Sequence, residues 1–191
     1  MKTHTAKKEK MGIRGVMTFT AFTIGDNQEA KEIDTFLKNA VNIAPALFEK
    51  YFNRLKEICS YREESFVNQV VSIGRECFTG RLIGETTYTG AINYGALGTG
   101  STAVSDSDVA LDTEVKRKAV ATRTRTVNSA TLRFFYSKSD TNGTYEEFGT
   151  FIDGTSAADS GQMFNRVLTG GWTKSASESL TVTAQFDLNP A

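Results

Sequence analysis

The sequence predicts an α+β chain that is mainly β: an antiparallel β-sandwich with an N-terminal strand and a helical insertion. Three observations carry this expectation. Short segments rich in Val, Ile, Thr, Phe and Tyr recur between turn residues, above all after Gly84. The chain holds 16 glycines and only 2 prolines, a balance that suits tight turns better than linkers. One long stretch, from Ile33 to Cys59, changes its apolar spacing from every second residue to every third and fourth.

The elements follow in order. Residues 1–10 read as a flexible basic tail, with Lys2, Lys7, Lys8 and Lys10 against Glu9. Residues 11–27 hold a strand, Arg14 to Ile24, closed by the turn residues Gly25-Asp26-Asn27. Residues 28–62 form the helical segment. Its thirteen-residue stripe runs from Ile33 through Phe36, Leu37, Phe48, Tyr51, Phe52 and Leu55 to Cys59. Pro45 lacks an amide proton and clashes with a preceding turn, so the segment reads as helices 28–43 and 45–60 or as one kinked rod. Residues 63–191 form the sandwich domain. Within it 66–71 reads as a strand. Ile73 to Ile83 reads as a short helix with Cys77, Phe78, Leu82 and Ile83 inward, against the weakening glycines 74, 80 and 84. Further strands are expected at 91–97, within 115–127, at 131–136, 145–152 and 163–168, and at 179–188. Asp140-Thr-Asn-Gly143 reads as a hairpin turn between two of them. In the last strand Leu180, Val182, Ala184, Phe186 and Leu188 alternate, which predicts one buried face.

Bulk properties narrow the function. Lysines plus arginines number 22 and acids 22, so the formal net charge is zero. Such a chain has no global field to draw nucleic acid or an anionic membrane, and neither is an expected partner. No apolar run reaches the roughly 18–20 residues that cross a bilayer. No hydrophobic segment follows the basic N-terminus, so a secretory signal is not expected and the chain is expected to be made in a cytoplasm. Cys59 and Cys77 then read as small core residues, because reducing compartments disfavour disulfides.

Catalytic patterns are not found. His4 is the only histidine, which removes most Ser-His-Asp, Cys-His and histidine–metal schemes. Gly95-Ala-Leu-Gly98-Thr-Gly100 lacks the lysine of a phosphate loop and has the wrong glycine spacing; it reads as a turn in which glycines permit positive φ. Asp106, Asp108, Asp112 and Glu114 lack the offsets of a calcium loop and read as a solvated acidic loop. Glu146 and Glu147 are adjacent, so in a strand they face opposite sides and form no acid–base pair. Lys116, Arg117, Lys118, Arg123, Arg125 and Arg133 form a basic cluster without interleaved aromatics, and Arg123 and Arg125 share a strand face. The chain is therefore read as not an enzyme, with no cofactor, metal or small-molecule substrate.

Several segments carry a resemblance. They are Asn93-Tyr-Gly-Ala-Leu-Gly-Thr-Gly-Ser101, Asp106-Ser-Asp-Val-Ala-Leu-Asp-Thr-Glu-Val-Lys-Arg117, Phe134-Phe-Tyr136, Asn142-Gly-Thr-Tyr-Glu-Glu-Phe-Gly149 and Thr173 to Thr183. In this order, over roughly 66–188, they resemble a group of tailed-bacteriophage structural proteins labelled tail, fibre or virion proteins. Three departures stand out: Thr150 and Phe151 follow the Glu-x-Gly motif where an aliphatic residue is usual, Gln185-Phe186 stands where a tryptophan is frequent, and 28–62 has the look of an insertion.

The resemblance implies a structural subunit of the virion, in the neck, tail or fibre base, partnered by other virion proteins and by copies of itself, and no catalytic residues. Two alternatives are a capsid decoration protein and a host-surface carbohydrate-binding module, the latter resting on Trp172 beside Gly170 and Gly171. The expected assembly surface is the apolar stripe of the helices with the basic strand: Phe36, Phe48, Tyr51, Phe52, Leu55, Arg123 and Arg125. The stripe is expected to pack on the β body or on a partner subunit; a sandwich that already fills its own core can cover only part of it.

Overall fold

A computed structural model gives the fold and describes residues 12–189; the expected basic tail lies outside the described residues. Nine strands form the body: β1 (Gly12–Thr23), β2 (Tyr61–Val70), β3 (Ile92–Gly98), β4 (Glu114–Ala119), β5 (Thr122–Arg125), β6 (Ser129–Tyr136), β7 (Gly143–Ile152), β8 (Gln162–Lys174) and β9 (Glu178–Asn189). They hydrogen-bond in the order β4-β3-β7-β8-β2-β1-β9-β6-β5, and every pairing is antiparallel. The α+β, mainly β class is as the sequence predicts. The strands, however, make one sheet curled on itself, not two separate sheets.

The curl follows from the side chains. β1, β6 and β9 place Met17, Phe19, Phe134, Val182 and Ala184 on one inner face, all at 0% exposure. That face meets the inner face of β3, β7 and β8. The Phe19 and Phe134 rings each sit 5.7 Å from the Phe148 ring. The Tyr136 hydroxyl donates to the Gly95 carbonyl across the same interface at 2.9 Å. Gly95 permits this approach, since a Cβ there would lie 2.8 Å from both the Phe134 and Phe148 rings. β2 forms the bend. It pairs with β1 from Tyr61 to Asn68 and with β8 only through Gln69 and Val70.

The two edges of the curled sheet are consecutive in the chain. β4 leads through Val120 and Ala121 into β5. The Val120 amide donates to Asn93 of β3 at 2.9 Å, and the Ala121 amide to Arg133 of β6 at 2.7 Å. One segment therefore bonds to both halves and closes the seam at that point. The single strand expected within 115–127 is two strands for this reason: the chain has to change partners.

β6 and β7 do not form the expected hairpin. β6 lies between β9 and β5, and β7 between β3 and β8, so neither has a free edge for the other. Asp140-Thr-Asn-Gly143 instead carries the chain from one half of the sheet to the other. It is tied down by Asp140, which accepts from the Ser137 amide at 2.8 Å and pairs with Lys118 at 2.9 Å, and by Asn142, which accepts from Lys174 at 2.7 Å. The last strand is paired on both sides, by β1 and β6, and Leu180, Val182, Ala184 and Phe186 are buried as their alternation predicts. Leu188, at its end, is only half-buried.

Between β1 and β2 the chain makes α1 (Gln28–Lys38) and α2 (Pro45–Ile58). Asn27 caps α1, its side chain accepting from the Ala30 amide at 3.1 Å. α1 stops earlier than expected because the linker is used elsewhere: the Asn42 and Ile43 amides donate to Val120 and Ala121 in the seam. Pro45 occupies the first turn of α2, where a missing amide proton costs nothing. It starts a helix and does not kink one. The helical segment ends at Ile58, so Tyr61 and Arg62 belong to β2. α3 (Ser72–Leu82) packs on β8, but not by the face expected. Gly74, Cys77 and Gly80 are its buried residues, while Phe78, Leu82 and Ile83 are exposed. Gly74 sets this orientation, because a Cβ there would come 2.8 Å from the Phe164 Cα. The helix lies too close to the strand for a larger residue to face it.

Candidate functional site: an arginine-centred knot and an open groove

β7 and β8 carry charged residues where their neighbours are apolar. Glu147 follows Tyr145 in β7 across a register shift, and Arg166 sits in β8 between Asn165 and Val167. The two meet with the Arg166 Nε 2.8 Å from the Glu147 Oε2. Arg166 also reaches Asp108 at 2.9 Å and Asp112 at 2.8 Å, both in the long loop between β3 and β4. The Arg166 side chain is 1% exposed and that of Glu147 0%. Glu147 further accepts main-chain amides of the loop: Gly100 and Thr113 at 3.0 Å, and Asp112 at 3.2 Å. A buried carboxylate with three amide donors and a guanidinium is satisfied, and the loop is held to the sheet through it.

The glycines of that loop serve this knot. Neither Gly98 nor Gly100 has positive φ, contrary to the reading as a positive-φ turn. A Cβ at Gly98 would lie 2.5 Å from the Glu147 Oε1, and one at Gly100 2.6 Å from the same atom. They are there for close approach of the main chain to the carboxylate.

The acidic loop is not merely solvated. Asp106 takes a bidentate pair from Arg75 of α3 at 2.7 and 2.8 Å. Glu114 takes one from Arg117 at 2.6 Å in both bonds, with both side chains almost fully buried. Arg117 also donates to the Thr155 and Ser160 carbonyls at 3.1 and 2.9 Å and lies over the Phe151 ring, fixing the loop between β7 and β8. Each of the four acids thus has an arginine. A hydrogen bond from Thr102, joined by Arg166, holds the Asp112 carboxyl below the usual range. The bond from Arg75 does the same for Asp106. Burial works against the Arg166 charge, but its three carboxylates outweigh burial and raise its pKa. These pairings tie the loop to α3, to β8 and to the loop between β7 and β8.

The remaining sequence-selected residues fall into three places. Phe48, Phe52 and Leu55 are inside the protein, at 0%, 7% and 0% exposure, against Phe22, Ile24, Ala121 and Phe135. As members of an exposed assembly surface they are corrected: the curled sheet offers its outer face to the helices and covers them. Phe36 stays 42% exposed and packs at a tilt against half-buried Tyr51, centroids 4.8 Å apart, in the cleft between α1 and α2. Trp172 is 5% exposed, packed on Phe19 and Phe66 with the Arg62 guanidinium 4.1 Å above its ring, so it offers no platform to a sugar. Cys77 is buried and Cys59 half-buried, both free thiols, and burial raises the pKa of each.

Arg123 and Arg125 do share a face, but it is the inner one. Their cross-strand partners are Leu132 and Ala130, which line an open groove of about 600 Å³ at one end of the curled sheet. Its apolar floor includes Ile13, Ile92, Phe164 and Phe186, and Phe78 of α3 stands on one wall. Arg123 donates to the Ile92 carbonyl at 3.0 Å and to Asn42. Elsewhere in the basic cluster Lys116 and Lys118 face Asp140, Arg117 faces Glu114, and Arg133 faces Glu49. Arg123 and Arg125 alone in that cluster have no carboxylate partner among the described residues.

Sequence reasoning weighed Glu147 only as a catalytic candidate and passed over Arg166. The available signal was a charge inside an apolar strand, as in Met163-Phe-Asn-Arg-Val-Leu168, where a solvated face would alternate. Comparison with protein-family models, with curated proteins and with solved structures returns no match.

Proposed function

We propose that this chain is a structural subunit of a tailed-phage virion, a component of the neck, tail or fibre base that acts through protein–protein assembly. One observation carries the reading. The segments that resemble phage structural proteins supply Gly98, Gly100, Asp108, Asp112 and Glu147, and these converge on Arg166 in one buried knot. On this reading those segments serve folding. Such a chain contributes shape and surface. Exposed apolar surface available to neighbours includes the Phe36–Tyr51 cleft, Val41, Leu47, and Leu82 and Ile83 at the end of α3. The burial of Trp172 weighs against the carbohydrate module.

The test is mass spectrometry of purified tailed particles from cells that carry the coding sequence, followed by a particle map at modest resolution. The reading expects the chain in the particle, at a copy number set by the symmetry of neck, tail or fibre base. A chain absent from washed particles contradicts it, and one found only on the shell makes it a capsid decoration protein. Deleting 1–62 is no probe of assembly, because it removes β1 from between β2 and β9. Phe36→Glu with Tyr51→Lys keeps the strands and is expected to reduce incorporation while leaving the monomer folded.

A further inference from the structure

β5 is the last strand of its side of the sheet, and it has a free edge. The Thr126 amide donates to the Ser129 carbonyl, and β5 pairs with β6 in continuous register, Thr122 to Arg133 through Arg125 to Ala130. Main-chain groups in an antiparallel pair alternate in direction. Thr122 and Thr124 therefore bond to β6, whereas the amides and carbonyls of Arg123 and Arg125 point to the open side, where they have no main-chain partner among the described residues. On that side lies the groove, lined by Ile92 and Phe78 among others. The seam that Val120 and Ala121 close is bridged once more by the Arg123 side chain, which donates to the Ile92 carbonyl at 3.0 Å, and is left open beyond it, along Arg125.

We propose that this gap is a docking site for an extended segment of another protein, which adds beside β5 and presents carboxylates and apolar side chains on one face. Two features select that occupant. The free donors and acceptors of Arg123 and Arg125 match a strand. The two guanidinium groups, uncompensated by any described carboxylate, share their face with Leu132 and the apolar floor, so residues opposite them are acidic and those beyond are apolar. A second copy pairing β5 against β5 would set arginine against arginine. The chain's own residues before Gly12, which lead into the strand beside the groove, carry Lys2, Lys7, Lys8 and Lys10 and are like-charged with it. The inference stands on the groove itself and not on where the chain works.

The probe is a fluorescein-labelled octapeptide, Thr-Leu-Thr-Glu-Thr-Glu-Thr-Leu, titrated with the full chain and followed by anisotropy. A second peptide has lysine for glutamate, and decanoate serves as a small amphiphilic competitor. Saturable binding of the acidic peptide is expected, weakened by about tenfold or more in Arg125→Glu, which in turn prefers the lysine peptide. Arg125→Lys is expected to retain most of the binding, and thermal melts check that both variants fold. The proposal is overturned if neither peptide saturates, if the two bind alike, or if Arg125→Glu binds unchanged. It is also overturned if decanoate binds and the peptide does not, or if the acidic peptide binds only after residues 2–10 are deleted, since the chain's own tail would then be the occupant.

Discussion

Two regions use arginine in opposite ways. Under the loop between β3 and β4, Arg166 of β8 is surrounded by Glu147, Asp108 and Asp112 and is buried. At the β5 edge, Arg123 and Arg125 face an apolar groove with no described carboxylate. Both regions are strands with charges on a face that neighbours keep apolar. The difference lies in where the counter-charge comes from. The first region finds it within the chain and becomes rigid; the second leaves it to be supplied. A charged residue in a β-strand is thus a structural element or a recognition element according to whether its partner is already in the fold.

Substitution should separate the two regions sharply. Arg166→Ala leaves Glu147 buried without its counter-charge, and such a loss costs on the order of 3–5 kcal/mol. Arg125→Ala removes an exposed side chain and should stay within about 0.5 kcal/mol. Urea denaturation midpoints with a common slope read both. Equal losses would erase the distinction. Phe186→Ala, which empties a site that touches the groove and the core, is expected to cost on the order of 3–5 kcal/mol by the same measurement.

Gly98→Ala sharpens the reading of the glycines. Its methyl group would press on the Glu147 carboxylate and the Thr113 carbonyl, at 2.5 and 2.7 Å, and overpacking of this kind costs about 1–3 kcal/mol. Gly12→Ala, where nothing stands within 4 Å, is the control and should be close to neutral.

The smallest effect is on pH. Asp106, Asp112 and Asp140 all have pKa values held below the ordinary aspartate value of 3.8. For Asp140 burial pushes the other way, and Lys118 with the Ser137 bonds outweighs it. The folded state therefore binds fewer protons than the unfolded state near that value. This contribution is complete above about pH 5 and disappears as pH falls through 4 toward the folded values. Thermal midpoints should be flat from pH 7 to about 5 and decline below 4, and Asp112→Asn should reduce that decline. A midpoint that rises on acidification contradicts the pairing.

Local signals carried most of the fold. Alternation in β1 and β9, the helical spacing of 28–58 and the turn residues after Ile24 were all legible, because each depends on neighbours in sequence. Partner choice was not. Asp140-Thr-Asn-Gly143 has hairpin chemistry, yet β6 and β7 belong to different halves of the curl. The bend at Val120 and Ala121 has no local cue, since its cause is the meeting of two distant edges. α3 was read by its apolar residues, but the short distance to Phe164 selects its glycines. The knot was least legible, for its members span Gly98 to Arg166 and only folding brings them together. The apolar stripe of the helices is legible, but which of its two possible covers it meets is not, because Phe22, Ala121 and Phe135 gather there only in the folded sheet.

Amide hydrogen exchange at Gly100, Asp112 and Thr113 tests the central claim most directly, since these loop amides donate to Glu147. If the loop is locked to the sheet through Glu147 and Arg166, all three should exchange slowly, with protection approaching that of the β9 strand. In Glu147→Gln they should lose most of it, while amides of β9 change little. Exchange at these three as fast as at Val127, on the exposed tip between β5 and β6, would show that the loop opens freely and that the arginine knot does not hold it.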